Sequence, residues 1–407
     1  MRLTSGHLTY CSNIHPGESW EELEGHLRRH VPELVTRLAP ADGFGLGLRL
    51  SARAARELER PETFERCSDM LRELGAYVFT VNGFPYGQFH GARVKEDVYL
   101  PDWRSTERLD YTTRLARILA RLAQRHPEMP RTLSISTVPG CFRALGDADA
   151  RTAIAARLIE QAQLLHQLAE ETGVTVVLAL EPEPACLLET TAECVRFLEE
   201  DVFRGNAGLP EAVLRRHLGL CLDTCHAAVQ FEDPEETLAL IRSSEITLAK
   251  IQVTAGLSVP KAGPEERARL AEFADGVYLH QGSVDLGDEV VRFVDLPEAL
   301  GRAELWDRPW RVHFHVPVFQ RELPPFESTQ PYVRAILAAH RAQPLTEHLE
   351  VETYTFDVLP ERFKPSSVTE AIARELEWTL RELDASNDDA QRAARRDDAP
   401  EAARREP

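Results

Sequence analysis

The sequence predicts an α/β fold, a closed (β/α)8 TIM barrel, and three observations predict it. The run Val176-Val177-Leu178-Ala179-Leu180 is apolar without a break, the pattern of a strand buried on both faces in a parallel sheet covered by helices. Apolar runs of this kind alternate with amphipathic segments along most of the chain, and such alternation makes right-handed crossovers between parallel strands. A length of 407 residues with 43% hydrophobic content suits one barrel carrying insertions. The run ends abruptly at Glu181, because Pro182 and Pro184 forbid strand or helix from continuing. A carboxylate is thereby set at the C-terminal tip of a buried strand, the end at which barrels build their sites.

The elements follow in order. Residues 8–13 read as a first strand that ends in a polar loop with His15-Pro16-Gly17. From 18 to 38, Trp20, Leu23, Leu27, Val31, Leu34, Val35 and Leu38 share one helical face. Residues 44–50 read as a strand and 51–74 as helix interrupted at Pro61. A third strand, 76–81, breaks at Asn82-Gly83-Phe84-Pro85, and a polar loop over 88–103 precedes a helix at 105–125. The strand at 132–137 is closed by Pro139-Gly140, and the helix at 148–171 is stopped by Gly173. Beyond Glu181, helix 189–202, strand 218–222, helix 234–242 and strand 248–253 continue the alternation. Residues 264–273 are helical, 311–319 alternate as a strand, and helix 329–341 precedes a strand at 349–354. This makes nine strands where a closed barrel needs eight, so the spare is assigned to an insertion at 277–319, before the last strand. The barrel is expected to run over 1–383, ending in a helix at 366–383. From 384 to 407 the chain is rich in Asp, Arg, Ala, Pro and Glu without apolar periodicity and reads as a disordered charged tail.

A formal net charge of −19 argues against a nucleic-acid backbone as partner. No apolar stretch approaches the length of a membrane helix, and the first residues are too short and polar for a secretion signal, so a cytoplasmic protein without membrane insertion is expected. Seven cysteines without repeated spacing read as reduced, mostly core-filling thiols.

Glu181, Asp223, Gln252 and Glu352 each fall at the end of a strand. Gathered on one rim, three carboxylates and an amide suit one divalent metal ion: Mn, Mg, or Zn, Co or Fe where imidazole joins. Without a cation the carboxylates would repel one another. The other reading of each is a capping or ion-paired group at a strand end. His226 lies three residues past Asp223, so one helical turn would bring it to the same face, to meet substrate or metal. His313 and His315 alternate on one strand and point to one face, where they add ligands or substrate contacts. Asn82, His90, Lys95, Arg93, Trp103 and Phe84 sit at or beside the loop after the third strand, the place for substrate contacts, or else form a solvated loop with buried aromatics.

The segments Leu-Glu-Pro (180–182), Leu-Asp-Thr-Cys-His (222–226), Lys-Ile-Gln-Val (250–253) and Val-Glu-Thr-Tyr (351–354) resemble the xylose-isomerase-like sugar isomerase/epimerase superfamily. The resemblance implies a metal held by Glu181, Asp223, Gln252 and Glu352, with Glu181 and Glu352 as acid/base pair and His226 touching substrate. More narrowly, the opening from His7 to Trp20, Val-His-Phe-His-Val-Pro-Val-Phe, and the segment from His348 to Pro360 resemble the EboE-type metabolite-traffic proteins. That implies a small secondary metabolite and ebo-pathway partner proteins. The combined expectation is a metal-dependent isomerase or epimerase of a polyol, sugar or cyclitol. A metabolite carrier working with a membrane partner and a hydrolase on the same barrel are the other readings.

Overall fold

A computed structural model describes residues 1–88, 95–204, 208–274, 278–356, 359–360, 363–365 and 367–384. The tail expected at 384–407 lies outside the described residues except for Asp384.

Short apolar runs between helical segments become the strands of the barrel. A hairpin of β1 (Arg2–Leu3) and β2 (Gly6–Tyr10) opens the chain, followed by α1 (Trp20–Leu38). The start of α1 is fixed by a capping box, in which Ser19 and Glu22 satisfy each other's backbone amides, worth about 1 kcal/mol. Then come β3 (Phe44–Arg49), α2 (Ala52–Glu57), α3 (Pro61–Glu73), β4 (Ala76–Asn82) and α4 (Thr106–Arg125). Pro61 separates α2 from α3 by sitting at the first turn of the second helix. β5 (Thr132–Thr137), α5 (Ala148–Thr172) and β6 (Thr175–Leu180) follow, with Gly173 in the left-handed conformation ending α5. The middle continues with α6 (Thr191–Phe197), α7 (Glu211–His217), β7 (Leu218–Asp223), α8 (Thr224–Val229), α9 (Pro234–Ser244) and β8 (Leu248–Val253).

After β8 the chain leaves the barrel. β9 (Ala255–Val259), α10 (Pro264–Leu270), β10 (Gly282–Asp285), β11 (Val290–Phe293), α11 (Leu296–Leu300), β12 (Trp310–Val316), β13 (Glu322–Leu323) and β14 (Phe326–Ser328) make up an insertion. Its six strands form an antiparallel sheet in the order β11-β10-β12-β9-β14-β13. The chain returns through α12 (Gln330–Ala342) to β15 (His348–Val351) and ends in α13 (Val368–Asp384).

The first sheet has nine strands in the order β1-β2-β15-β8-β7-β6-β5-β4-β3. Removing β1, which only pairs antiparallel with β2, leaves eight strands whose ladders are parallel. The two ends meet: Cys11 bridges Gly47, and the Thr9 hydroxyl donates to the Gly45 carbonyl at 2.8 Å. The structure is therefore an α/β TIM barrel with an added antiparallel sheet before its last strand. The spare strand, β12, belongs to that sheet. The insertion is larger than expected from 277–319, because β9 follows β8 after one residue, and the alternating pattern continued through 248–259 hides the change of sheet. The last barrel strand is shorter than 349–354 and ends at Val351, which leaves Glu352 just past its tip.

The barrel interior is not wholly apolar. Lys250 on β8 and Glu350 on β15 form an ion pair at 2.5 Å, both side chains fully buried. Room for it comes from Gly47, where a Cβ would fall 1.6 Å from Glu350 Oε1.

Candidate metal centre

Above this ion pair, at the C-terminal ends of the strands, the acidic residues converge. One carboxylate oxygen each of Glu181, Asp223 and Glu352 lies within 4.8 Å of the others, and all three residues are buried. Glu181 and Glu352 are the first residues past β6 and β15, and Asp223 is the last of β7. Gln252 on β8 stands in register with both Asp223 and Glu350 and is fully buried.

Asp223 takes the capping role open to it from sequence with one oxygen and leaves the other for a cation. Its Oδ1 caps α8, accepting from the amides of Cys225 at 2.7 Å and His226 at 2.9 Å, and also from the Thr254 hydroxyl at 2.6 Å. Its Oδ2 is left buried without a hydrogen-bond partner among the described residues, 4.0 Å from His226 Nε2. Glu352 Oε1 accepts from the side-chain amides of Asn13 (2.6 Å) and Asn82 (2.7 Å). Burial, then the charges of Glu181 and Asp223, push the Glu352 carboxyl well above its ordinary range. Burial likewise lifts Glu181 to about 7, against the pull of His226.

Beside the carboxylates stand three histidines. His313 Nε2 lies 3.2 Å from His226 Nε2 and 3.2 Å from His315 Nε2. The opposite nitrogens face oxygens that can only accept: His226 Nδ1 meets Pro182 O at 3.0 Å, His313 Nδ1 meets Gln281 Oε1 at 2.9 Å, and His315 Nδ1 meets Glu352 O at 2.7 Å. Each Nδ1 must therefore carry a hydrogen, and a neutral ring then presents an Nε2 lone pair to its neighbours. Three lone pairs facing one another repel, and a proton or a cation relieves them. Burial alone would lower His226, but Asp223, Glu183 and Glu181 outweigh it and hold the ring above its ordinary value. His313 is pressed well below, by burial and then by the neighbouring His226 and His315, and burial takes His315 to about 4. Asp223, His226 and His315 form a second potential ligand group, so Asp223 is common to both.

The donors fit a divalent ion. Glu181 Oε2, Asp223 Oδ2 and both amide atoms of Gln252 are buried with no hydrogen-bond partner among the described residues. Each such orphan costs about 1–3 kcal/mol, more when charged, and oxygen ligands with adjacent imidazoles match Mn, Mg, Zn, Co or Fe.

A cavity of about 50 Å³ reaches this cluster, lined by Asn13, Phe84, Tyr99, Tyr278, Tyr354 and Lys95 together with the site residues. A cleft at the other end of the barrel is larger, about 850 Å³, but gathers none of the potential metal-ligand groups. Chemistry, not size, locates the site.

The residues expected to touch substrate divide. Asn82 orients Glu352, and Phe84 lines the cavity. Lys95 lines it too, but its ammonium is held by Asp295 at 2.6 Å. His313 stands with the other imidazoles. Trp103 does not reach the cavity: it is fully buried, its Nε1 donating to Thr137 at 3.1 Å, because the loop after β4 folds its aromatic inward. His90 and Arg93 lie outside the described residues. The sequence reading missed Asn13, Glu183 and Gln281. Glu183 Oε1 accepts from the Tyr99 hydroxyl at 2.8 Å, and Gln281 Nε2 donates to that hydroxyl at 2.5 Å. Asn13 and Glu183 were findable, since both follow strand tips; Gln281 sits in the insertion and carries no pattern.

All seven cysteines are free and buried. Among the described residues no helix is long and apolar enough to cross a membrane.

No family model matches the chain, and no curated protein matches it. Among solved structures it is similar to an L-ribulose 3-epimerase, with 15% identity, 99% of this chain and 100% of the other covered, and a TM-score of 0.48. It is also similar to the D-allulose 3-epimerase from Methylomonas sp. in complex with D-allulose, with 11% identity, 94% and 99% covered, and a TM-score of 0.48. A third similar structure is the IOLI protein with a zinc atom, with 12% identity, 92% and 97% covered, and a TM-score of 0.45.

Proposed function

We propose that the chain is a divalent-metal-dependent isomerase or epimerase of a polyol, ketose or cyclitol. The observation that carries this reading is the placing of Glu181, Asp223 and Glu352 within 4.8 Å of one another, all buried and with orphaned oxygens among them. Glu181, Asp223, Gln252 and Glu352 would hold the ion, with His315 as a further ligand. When bound, the ion supplies Lewis-acid polarisation of a carbonyl and its neighbouring hydroxyl. The chain's own residues do the rest. Glu352, aimed by Asn13 and Asn82, and Glu181 are the two groups able to take and return a proton on a substrate carbon between them. His226, fixed by Pro182 O, offers its Nε2 to a substrate oxygen. Phe84, Tyr99, Tyr278 and Tyr354 keep water from the reacting atoms. Pockets for drug-sized ligands measure about 300–1,000 Å³, so substrate is admitted only as these walls part.

The likeness of three segments to EboE-type proteins supports a substrate from a secondary-metabolite pathway and partner proteins of that pathway. The three imidazoles favour one other reading, metal-assisted hydrolysis with two ions sharing Asp223.

Metal analysis and solvent exchange test the proposal. Purified protein should carry metal that Asp223→Ala loses. In heavy water, ketoses and cyclitols incubated with wild type should gain carbon-bound deuterium. Glu352→Gln should slow this by about 10²–10⁴ while still binding the compound. Two equivalents of metal that are both lost in Asp223→Ala, without deuterium gain, would move the hydrolase ahead; binding unchanged by Glu352→Gln, with no exchange in wild type, would leave a carrier.

A further inference from the structure

A second group of histidines lies outside the barrel site. His15 follows the loop after β2, while His26 and His30 stand one turn apart on α1. One ring nitrogen from each lies within 4.8 Å of the other two. The rings stack nearly parallel, His15 against His30 at 4.7 Å and 11°, and against His26 at 5.3 Å and 5°. The surroundings orient them. The Tyr10 hydroxyl sits 3.1 Å from His15 Nε2, and the Thr369 hydroxyl of α13 sits 2.7 Å from His30 Nδ1. His26 Nδ1 is buried and has no hydrogen-bond partner among the described residues.

We propose that His15, His26 and His30 form a second metal site, for a borderline transition ion such as Zn²⁺, distinct from the barrel centre. Two histidines at i and i+4 on one helix face present their nitrogens to a common point, and a third arrives from a separate segment, so the ligand count suits three imidazoles plus water. All-nitrogen ligation selects Zn²⁺, Ni²⁺, Co²⁺ or Cu²⁺ over Mg²⁺ or Ca²⁺. Binding turns the stacked rings about their Cβ–Cγ bonds, a soft rotation, until the in-plane lone pairs converge. The Tyr10 and Thr369 hydroxyls, which hold His15 and His30 in the stack, rotate to follow the rings and serve as their outer partners. The ion ties the loop holding Asn13, which aims Glu352, to α1, and through Thr369 to α13.

Equilibrium dialysis against micromolar Zn²⁺ tests this. The variant carrying His26→Gln and His30→Gln should hold one equivalent fewer than wild type and keep the barrel metal; Asp223→Ala should keep the α1 equivalent. Equal zinc in the double variant and wild type overturns the proposal. Should the double variant fail to fold, wild-type crystals soaked in Zn²⁺ and measured at the zinc edge decide: an anomalous peak among the three rings supports the site, and its absence there overturns it.

Discussion

Glu375 on α13 is a buried carboxyl that accepts from the Thr353 hydroxyl at 2.7 Å and the Val318 amide at 3.1 Å. Burial pushes it up to about 8, the two hydrogen bonds opposing only in part. A folded-state value above the unfolded one means that the native chain keeps a proton the unfolded chain gives up. The contribution is therefore fully present below about pH 4.5 and is lost as pH rises towards 8, at up to about 1.4 kcal/mol per pH unit. Glu375→Gln should flatten the fall in melting temperature across that window and be the more stable protein at its upper end; parallel curves would show that Glu375 does not carry the proton. No sequence pattern marked this residue, since it lies on an apolar helix face like any core position. The rim carboxylates were legible for the opposite reason. Glu181 and Asp223 each end a run too apolar to tolerate a charge, so the position itself demands an explanation, whereas Glu352 was read from its place near a strand tip. Trp103 misled because an aromatic in a loop reads equally as a binding wall and as core.

At the scale of elements, the strands were legible to within one or two residues where breakers bound them, as at Thr132–Thr137 and Thr175–Leu180. The insertion was not, because Ala255–Val259 continues the apolar pattern of β8 into another sheet. Charges inside strands were passed over as well: Lys250 and Glu350 alternate with apolar neighbours as exposed residues would, yet face each other across adjacent strands of the barrel interior. Burial would lower the Lys250 ammonium, but the charge and hydrogen bond of Glu350, with Cys221 and Cys11 beside it, together outweigh burial and hold it above its ordinary value. Removing one partner strands the other. Lys250→Met should cost about 3–5 kcal/mol in urea unfolding, and adding Glu350→Gln should restore part of it. A cost under about 1 kcal/mol would mean that water reaches the pair.

The whole molecule is a barrel whose centre is completed from outside. Carboxylates come from β6, β7 and the tip of β15, but His313 and His315 come from β12 in the second sheet. His315 is joined to the barrel by its contact with Glu352 O, and its own carbonyl accepts from Thr355. An ion bound to Asp223 and His315 would thus be a rivet between the two layers. Apart from chemistry, it would govern the order in which the protein comes apart. Metal loading should slow hydrogen exchange at the amides of Trp310–Val316 far more than at those of β3 or β4, which carry none of the candidate ligands placed on β6, β7 and β12. Uniform slowing would mean that barrel and insertion open as one. Selective slowing would make the metal the device by which an appended sheet becomes part of the barrel's cooperative unit.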